Sequence, residues 1–300
     1  NKTFSRDIAN KIFYLGIFLL PSAFTFSAIL LLIATVIGFF KSDEKIFEDK
    51  INNIFLIGSI FIFISGLINA KDFFEISNGL KIYYPDIGIF NWIPLIFSFI
   101  GFQIYVKTNE QRKNCALYFL CGSIPVLISV FGQVFFKWDT TLEALNGLII
   151  WYLRPIEDFN AASGLFNNPN YLGSWLNIIW PFCLCFLFLK DTNKLKNLTL
   201  FLFTTAVFIS ILLCSSRASL LCLFLSVPIF IWRDYGKWLI YIFLGIFLIF
   251  LLSFIPSIGE LLKSITLNTL PDELINNFRQ ETYANDISRI DIWTLGLKKL

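Results

Sequence analysis

Apolar runs long enough to cross a lipid bilayer follow one another through this 300-residue chain, and they leave room for little else. A helix rises about 1.5 Å per residue, so roughly twenty apolar residues span a hydrocarbon core of ~30 Å. Runs of that order cover residues 51–68, 86–106, 115–136, 172–189 and 238–256. Residues 12–40 form a longer run with Pro21-Ser22 near one end, which fits either one kinked crossing or two short ones folded as a hairpin. Residues 198–232 are too long for one crossing and are interrupted by Cys214-Ser215-Ser216-Arg217, so two short spans turning at 215–217 are expected. Composition agrees: the chain is 56% hydrophobic and 15% charged, against about 45–50% and 25% in soluble domains. The pattern predicts an all-α, polytopic membrane protein with roughly nine spans. It divides into N-terminal transmembrane helices (1–136), an outer loop (137–171), core transmembrane helices (172–256) and the start of a second, larger outer loop (257–300).

Several kinds of chemistry are excluded by what is missing. The chain has no His, so a Ser-His-Asp triad, a His zinc site and a His base are absent from these residues. There is no Walker A loop, no Asp-x-Asp metal pair and no Gly-rich dinucleotide fingerprint, so neither a metal nor a cofactor is expected. A net charge of +3, scattered along the chain, gives no footprint for nucleic acid. The six Cys lie in or beside apolar runs without a Cys-x-x-Cys pair; they read as small buried hydrophobes, with no disulfide framework. No charged residue lies in the interior of a span, which argues against an ion-coupled pump. The chain lacks Met and stops inside a helical pattern, so a fragment of a longer protein is expected.

Lys and Arg set the orientation. With the N-terminal tail and the loops around 41–50, 107–113, 190–196 and 233–237 placed inside, the inner side holds fourteen basic residues and the outer loops five. That asymmetry favours the hairpin reading of 12–40. Loops 190–197 and 233–237 then lie on one side, so the chain between them crosses an even number of times. Arg217, the segment 137–171 and the tail 257–300 accordingly share the outer face.

Four of the polar features on that face have chemical potential. Arg217 sits in a short polar gap beside Ser215 and Ser216. Its planar fork suits phosphate or carboxylate, and the two hydroxyls add donors; the plainer reading is an arginine snorkelling to lipid headgroups. Arg289 lies in Ser288-Arg289-Ile290-Asp291-Ile292-Trp293, within an amphipathic pattern over 286–300; its plainer role is a helix pair with Asp286. Arg154 follows Trp151 and Tyr152, which read as marking an interfacial helix. Finally, Gly164-Leu165-Phe166-Asn167-Asn168-Pro169-Asn170-Tyr171 specifies a fixed turn, with Pro169 as a stop and Asn170 as the N-cap of the next span.

The turn at 164–171, the segment Cys214-Ser215-Ser216-Arg217-Ala218-Ser219 and the segment Ser288–Trp293 resemble, in this order, the O-antigen ligase and O-antigen polymerase superfamily of bacterial membrane glycosyltransferases. The resemblance covers roughly residues 120–300, and the stretch 90–136 is similar to cyanobacterial members, some of them described as inorganic-carbon transporter-like. It implies a GT-C-like fold in the bacterial inner membrane, with the active site facing the periplasm. It implies transfer of a glycan from an undecaprenyl-diphosphate carrier to an acceptor hydroxyl, on lipid A-core or on a growing polysaccharide, without a metal ion. Arg217 and Arg289 match the family's two catalytic arginines, which grip the donor diphosphate; Asn168, Pro169, Asn170, Ser215, Ser216 and Arg154 are expected at the substrate. Membrane lipids are the remaining partners. The family's essential His is expected beyond Leu300. The alternative function is a small-anion transporter of the bicarbonate type with Arg217 as ligand, and a third is a non-catalytic subunit of an envelope assembly system.

Overall fold

The computed structural model describes residues 2–41, 48–68, 73–75, 81–159, 161–188, 193–216, 218–223, 225, 226 and 241. Arg217, Arg289, the tail 257–300 and, apart from Tyr241, the expected span 238–256 lie outside the described residues. The chain divides into two compact units, Asn1–Ser219 and Leu220–Leu300. In the second, residues 220–223, 225, 226 and 241 are helical, and Ser226 donates to the Leu223 carbonyl at 2.8 Å.

In the first unit the helices are α1 (Lys2–Leu19), α2 (Phe24–Lys41), α3 (Lys50–Ile68), α4 (Tyr84–Phe102), α5 (Asn109–Gly122), α6 (Ile124–Phe136), α7 (Ile156–Phe159), α8 (Pro169–Phe188) and α9 (Lys194–Leu213). Two antiparallel ribbons interrupt them: β1 (Phe73–Glu75) with β2 (Lys81–Tyr83), and β3 (Leu142–Ala144) with β4 (Ile149–Trp151). Five stretches among the described residues are long and apolar enough to cross a membrane: α2, α3, α5 with α6, α8 and α9. The chain is thus mostly helical and built as an all-α membrane protein is built.

The run 12–40 is a hairpin. The chain turns at 20–23, and Ser27 reaches back to donate to the Gly16 carbonyl at 2.7 Å. α1 carries Lys2, Arg6, Asp7 and Lys11, which keeps it out of the five apolar stretches. α5 and α6 meet at Ser123, where Pro125 brings no N–H to the first turn of α6; the Ser123 hydroxyl donates to the Phe119 carbonyl at 2.8 Å. α9 begins at Lys194, earlier than the apolar run, because Asn193 caps it by accepting from the Leu195 and Lys196 N–H groups at 3.0 and 3.3 Å. It is therefore a full 20-residue helix, where a short span was expected.

Glycines set the closest helix contacts, as they do in bilayers, where small residues let backbones approach. A Cβ on Gly38 of α2 would collide with the Gly101 carbonyl of α4, and one on Gly122 of α5 would collide with the Phe18 carbonyl of α1. A buried aromatic core joins α1, α2, the short 3-10 turn Gln103–Tyr105 and α5. In it Phe13 stacks on Tyr105 with centroids 4.6 Å apart, and the Tyr105 hydroxyl donates to the Ala34 carbonyl at 2.8 Å. Buried Asn52 on α3 exchanges amide hydrogen bonds with Gln103, at 2.7 and 3.3 Å. The Cys residues depart from expectation. Cys183 and Cys214 are buried, but Cys121, Cys185 and Cys222 are exposed.

Two long-range bonds gather one end of the unit. The Trp151 indole donates to the Ser22 carbonyl at 2.7 Å, and the Ala162 N–H donates to the Leu213 carbonyl at 2.9 Å. The hairpin turn at 20–23, the loop 137–168 and the end of α9 therefore lie together, and we refer to this as the loop end.

Candidate functional site

The loop end is organised by a residue that apolar patterning passes over. Gln133 on α6 is 1% exposed, and both ends of its carboxamide are used. Its Nε2 donates to the Arg154 carbonyl at 2.8 Å and to Ser163 Oγ at 3.2 Å. Its Oε1 accepts from the Ser163 N–H at 3.1 Å and the Gly164 N–H at 2.7 Å. Ser163 Oγ in turn accepts from the Arg154 N–H at 3.2 Å, and the Tyr152 N–H donates to the Leu165 carbonyl at 3.1 Å. Two stretches of backbone, 152–154 and 163–165, are thus bound to each other and to one buried side chain. A lone Gln within the apolar run 115–136 was the sequence signal for it: burying an amide in such a run is costly unless it is bonded.

Arg154 is exposed, with its guanidinium carbon 5.8 Å from the centre of the Tyr152 ring. Its backbone is fixed while its charge is presented outward. No interfacial helix surrounds it. Trp151 ends strand β4, and buried Leu153 takes a left-handed φ of 37°, a costly conformation for a leucine that the surrounding hydrogen bonds impose.

The turn at 164–171 works chiefly as a helix cap. Gly164 has a φ of +59°, and a Cβ there would also press within 3.2 Å of Ser129 Oγ and Val130 Cγ2. Helix α8 starts at Pro169, so the cap is Asn168 rather than Asn170. Asn168 Oδ1 accepts from the Asn170 N–H at 2.8 Å, and its carbonyl accepts from the Leu172 N–H at 3.3 Å. Proline takes the first helical position, where a missing N–H costs nothing. Asn168 is half-buried, Pro169 buried and Asn170 exposed.

At the end of α9, Cys214 is the C-cap and Ser215 follows in a left-handed conformation with φ 49°, its N–H donating to the Leu212 carbonyl at 3.2 Å. This is the place where helices favour glycine. Ser215→Gly is expected to stabilise the protein by about 0.5–1 kcal/mol, seen as a higher unfolding midpoint. Ser216 is 5% exposed, and burial pushes the Cys214 thiol above its ordinary range. This turn lies against α8. A Cβ on Gly173 would overlap Ser219 Oγ and lie 3.0 Å from Ser219 Cβ and 3.1 Å from Cys214 Sγ.

The structure thus brings Leu213, Cys214 and Ser219 against the 162–173 segment, and Gln133 ties Arg154 to that segment. Arg217 and Arg289 are outside the described residues. Among the described residues no three His, Cys, Asp or Glu side chains converge on a point. An apolar groove of about 380 Å³ runs along α6 and α9 up to Phe136 and Trp138, lined by Ile124, Leu127, Ile128 and Phe131 on one side and Phe203 and Ala206 on the other. Compared with protein-family models, curated proteins and solved structures, the chain finds no match.

Proposed function

We propose that the chain is an O-antigen ligase-like, GT-C-like membrane glycosyltransferase that moves a glycan from an undecaprenyl-diphosphate carrier to an acceptor hydroxyl at the periplasmic face of the bacterial inner membrane. The observation that carries this reading is the contact of Gly173 with Ser219 and Cys214, together with the Ala162–Leu213 hydrogen bond. These join two of the three segments on which the family resemblance rests. A donor diphosphate carries fixed negative charge and gains more as it leaves. Guanidinium forks preset on that charge favour the transition state over the ground state. In this reading Arg217 and Arg289 supply the forks, Ser215 and Ser216 add hydroxyl donors beside Arg217, and exposed Arg154 attracts the anion. Asn168, Pro169 and Asn170 hold the turn at which the glycan sits. The isoprenoid tail lies along the apolar groove of α6 and α9, and lipid A-core or a growing polysaccharide is the acceptor.

The test is transfer by membranes carrying the full-length protein and supplied with polyprenyl-diphosphate-linked glycan. Arg217→Ala is expected to cut transfer at least 100-fold with insertion unchanged. Arg217→Lys should recover only part, because a point charge does not replace two parallel hydrogen bonds. Arg289→Ala should behave as Arg217→Ala does. Wild-type transfer in either alanine variant rejects the assigned roles. Bicarbonate uptake into liposomes without any lipid-linked sugar would instead support the anion-transporter reading.

A further inference from the structure

The seam between α8 and α9 holds polar atoms that the proposed transfer site does not use. The two helices run antiparallel in a constant register: Gly173 meets Cys214, and Trp180 packs on Phe208 with centroids 6.1 Å apart. Carried through the intervening turn, that register sets Asn177 opposite Ser210. Ser210 is 0% exposed. Its Oγ and the Asn177 Oδ1 are both buried and have no hydrogen-bond partner.

Ser210 differs from its neighbours on the same helix. Thr199, Thr204 and Thr205 each donate to the carbonyl four residues back, at 3.0, 2.8 and 2.9 Å. Ser210 does not make that bond. Across the seam, Pro181 lies inside α8 and has no N–H, so the Asn177 carbonyl also loses its helical donor. One short stretch thus collects an amide oxygen, a backbone carbonyl and a hydroxyl, none paired in the ordinary helical way. Buried oxygens left unpaired are costly, and in helices interrupted by proline ordered water commonly restores the pairing.

We propose that Asn177 and Ser210 hold one buried water molecule, which donates to Asn177 Oδ1 and to the Asn177 carbonyl and accepts from the Ser210 hydroxyl. Three hydrogen bonds are the usual complement of such a water. The site stands apart from the glycan-transfer reading and survives its failure.

The test is thermal unfolding of the purified full chain in lipid nanodiscs. Ser210→Ala and Asn177→Leu are each expected to lower the midpoint by several degrees. The double variant should fall no further than the worse single one, because both substitutions remove the same water. Either single variant raising the midpoint, as relief of a merely orphaned polar atom would, overturns the proposal, and so do additive losses. A wild-type midpoint that rises with sodium but not with choline also overturns it, since that marks a cation on these oxygens. If a variant fails to fold, hydroxyl-radical footprinting of the wild type decides. Leu176 and Ile211, both 0% exposed, should be oxidised above the level of Val126, equally buried at 0%. Labelling no greater than at Val126 rejects the site.

Discussion

Gln133→Leu is expected to destabilise the first unit by about 3 kcal/mol, the largest single loss we foresee. Leucine matches the shape but leaves the Ser163 and Gly164 N–H groups without their acceptor and the Arg154 carbonyl without its donor, while Ser163 Oγ keeps only the Arg154 N–H. Each buried group stripped of its partner costs about 1–3 kcal/mol, reduced where water can reach it. The measurement is the unfolding midpoint, with protease sensitivity of the 152–165 loop as a local readout. Gln133→Glu separates hydrogen bonding from shape. Its carboxylate keeps the acceptor but buries a charge and loses the donor to Arg154, so this variant too should unfold at a lower midpoint than wild type. A Gln133→Leu midpoint equal to wild type would mean that the loop is held elsewhere.

Gly173→Leu is expected to have the largest effect on activity of any substitution away from the two arginines. Gly173 is where α8 admits the turn after α9, and a Cβ alone already meets Ser219 and Cys214. Forcing methylenes into a packed contact costs about 1–3 kcal/mol and moves backbone. Under the proposed mechanism a displacement of ~1 Å in a group that grips the donor costs on the order of 100-fold in rate. The result expected is therefore a large loss of transfer from a protein that still inserts and folds. Gly58→Ala on α3 is the control. A Cβ there meets nothing within 4 Å, so alanine should be neutral or stabilising by up to about 1 kcal/mol, with transfer unchanged.

The sequence made the helices legible because hydrocarbon thickness and helix rise tie length to hydropathy. The expected run 51–68 is α3, 172–189 falls within a residue or three of α8, and 12–40 bends into two helices, although α1 begins at Lys2 and is not among the five stretches apolar enough to cross a membrane. The polar ends were less legible. Asn168 and Asn193 extend their helices beyond the apolar runs by capping backbone N–H groups, and hydropathy does not register a cap. The candidate site was visible as motifs but not as a mechanism of assembly. Gly164 and Pro169 mark a turn, yet nothing local says that a glutamine thirty-one residues before Gly164 binds it. Trp151 and Tyr152 were misread for a similar reason. Aromatic residues suit both a membrane interface and a strand, and the left-handed stretch Leu145–Gly147 that folds β3 onto β4 contains only one glycine to announce it.

The bond from Trp151 to the Ser22 carbonyl spans 129 residues. On a ribosome the hairpin turn of α1 and α2 emerges long before the indole that fastens it, and until then it is held only by its immediate helical neighbours. Contacts so distant in sequence form late, after the entropy of the intervening chain has been overcome. The loop end of the first unit is therefore closed late, so a nascent chain halted before Trp151 would present a helical hairpin whose turn is not yet fastened.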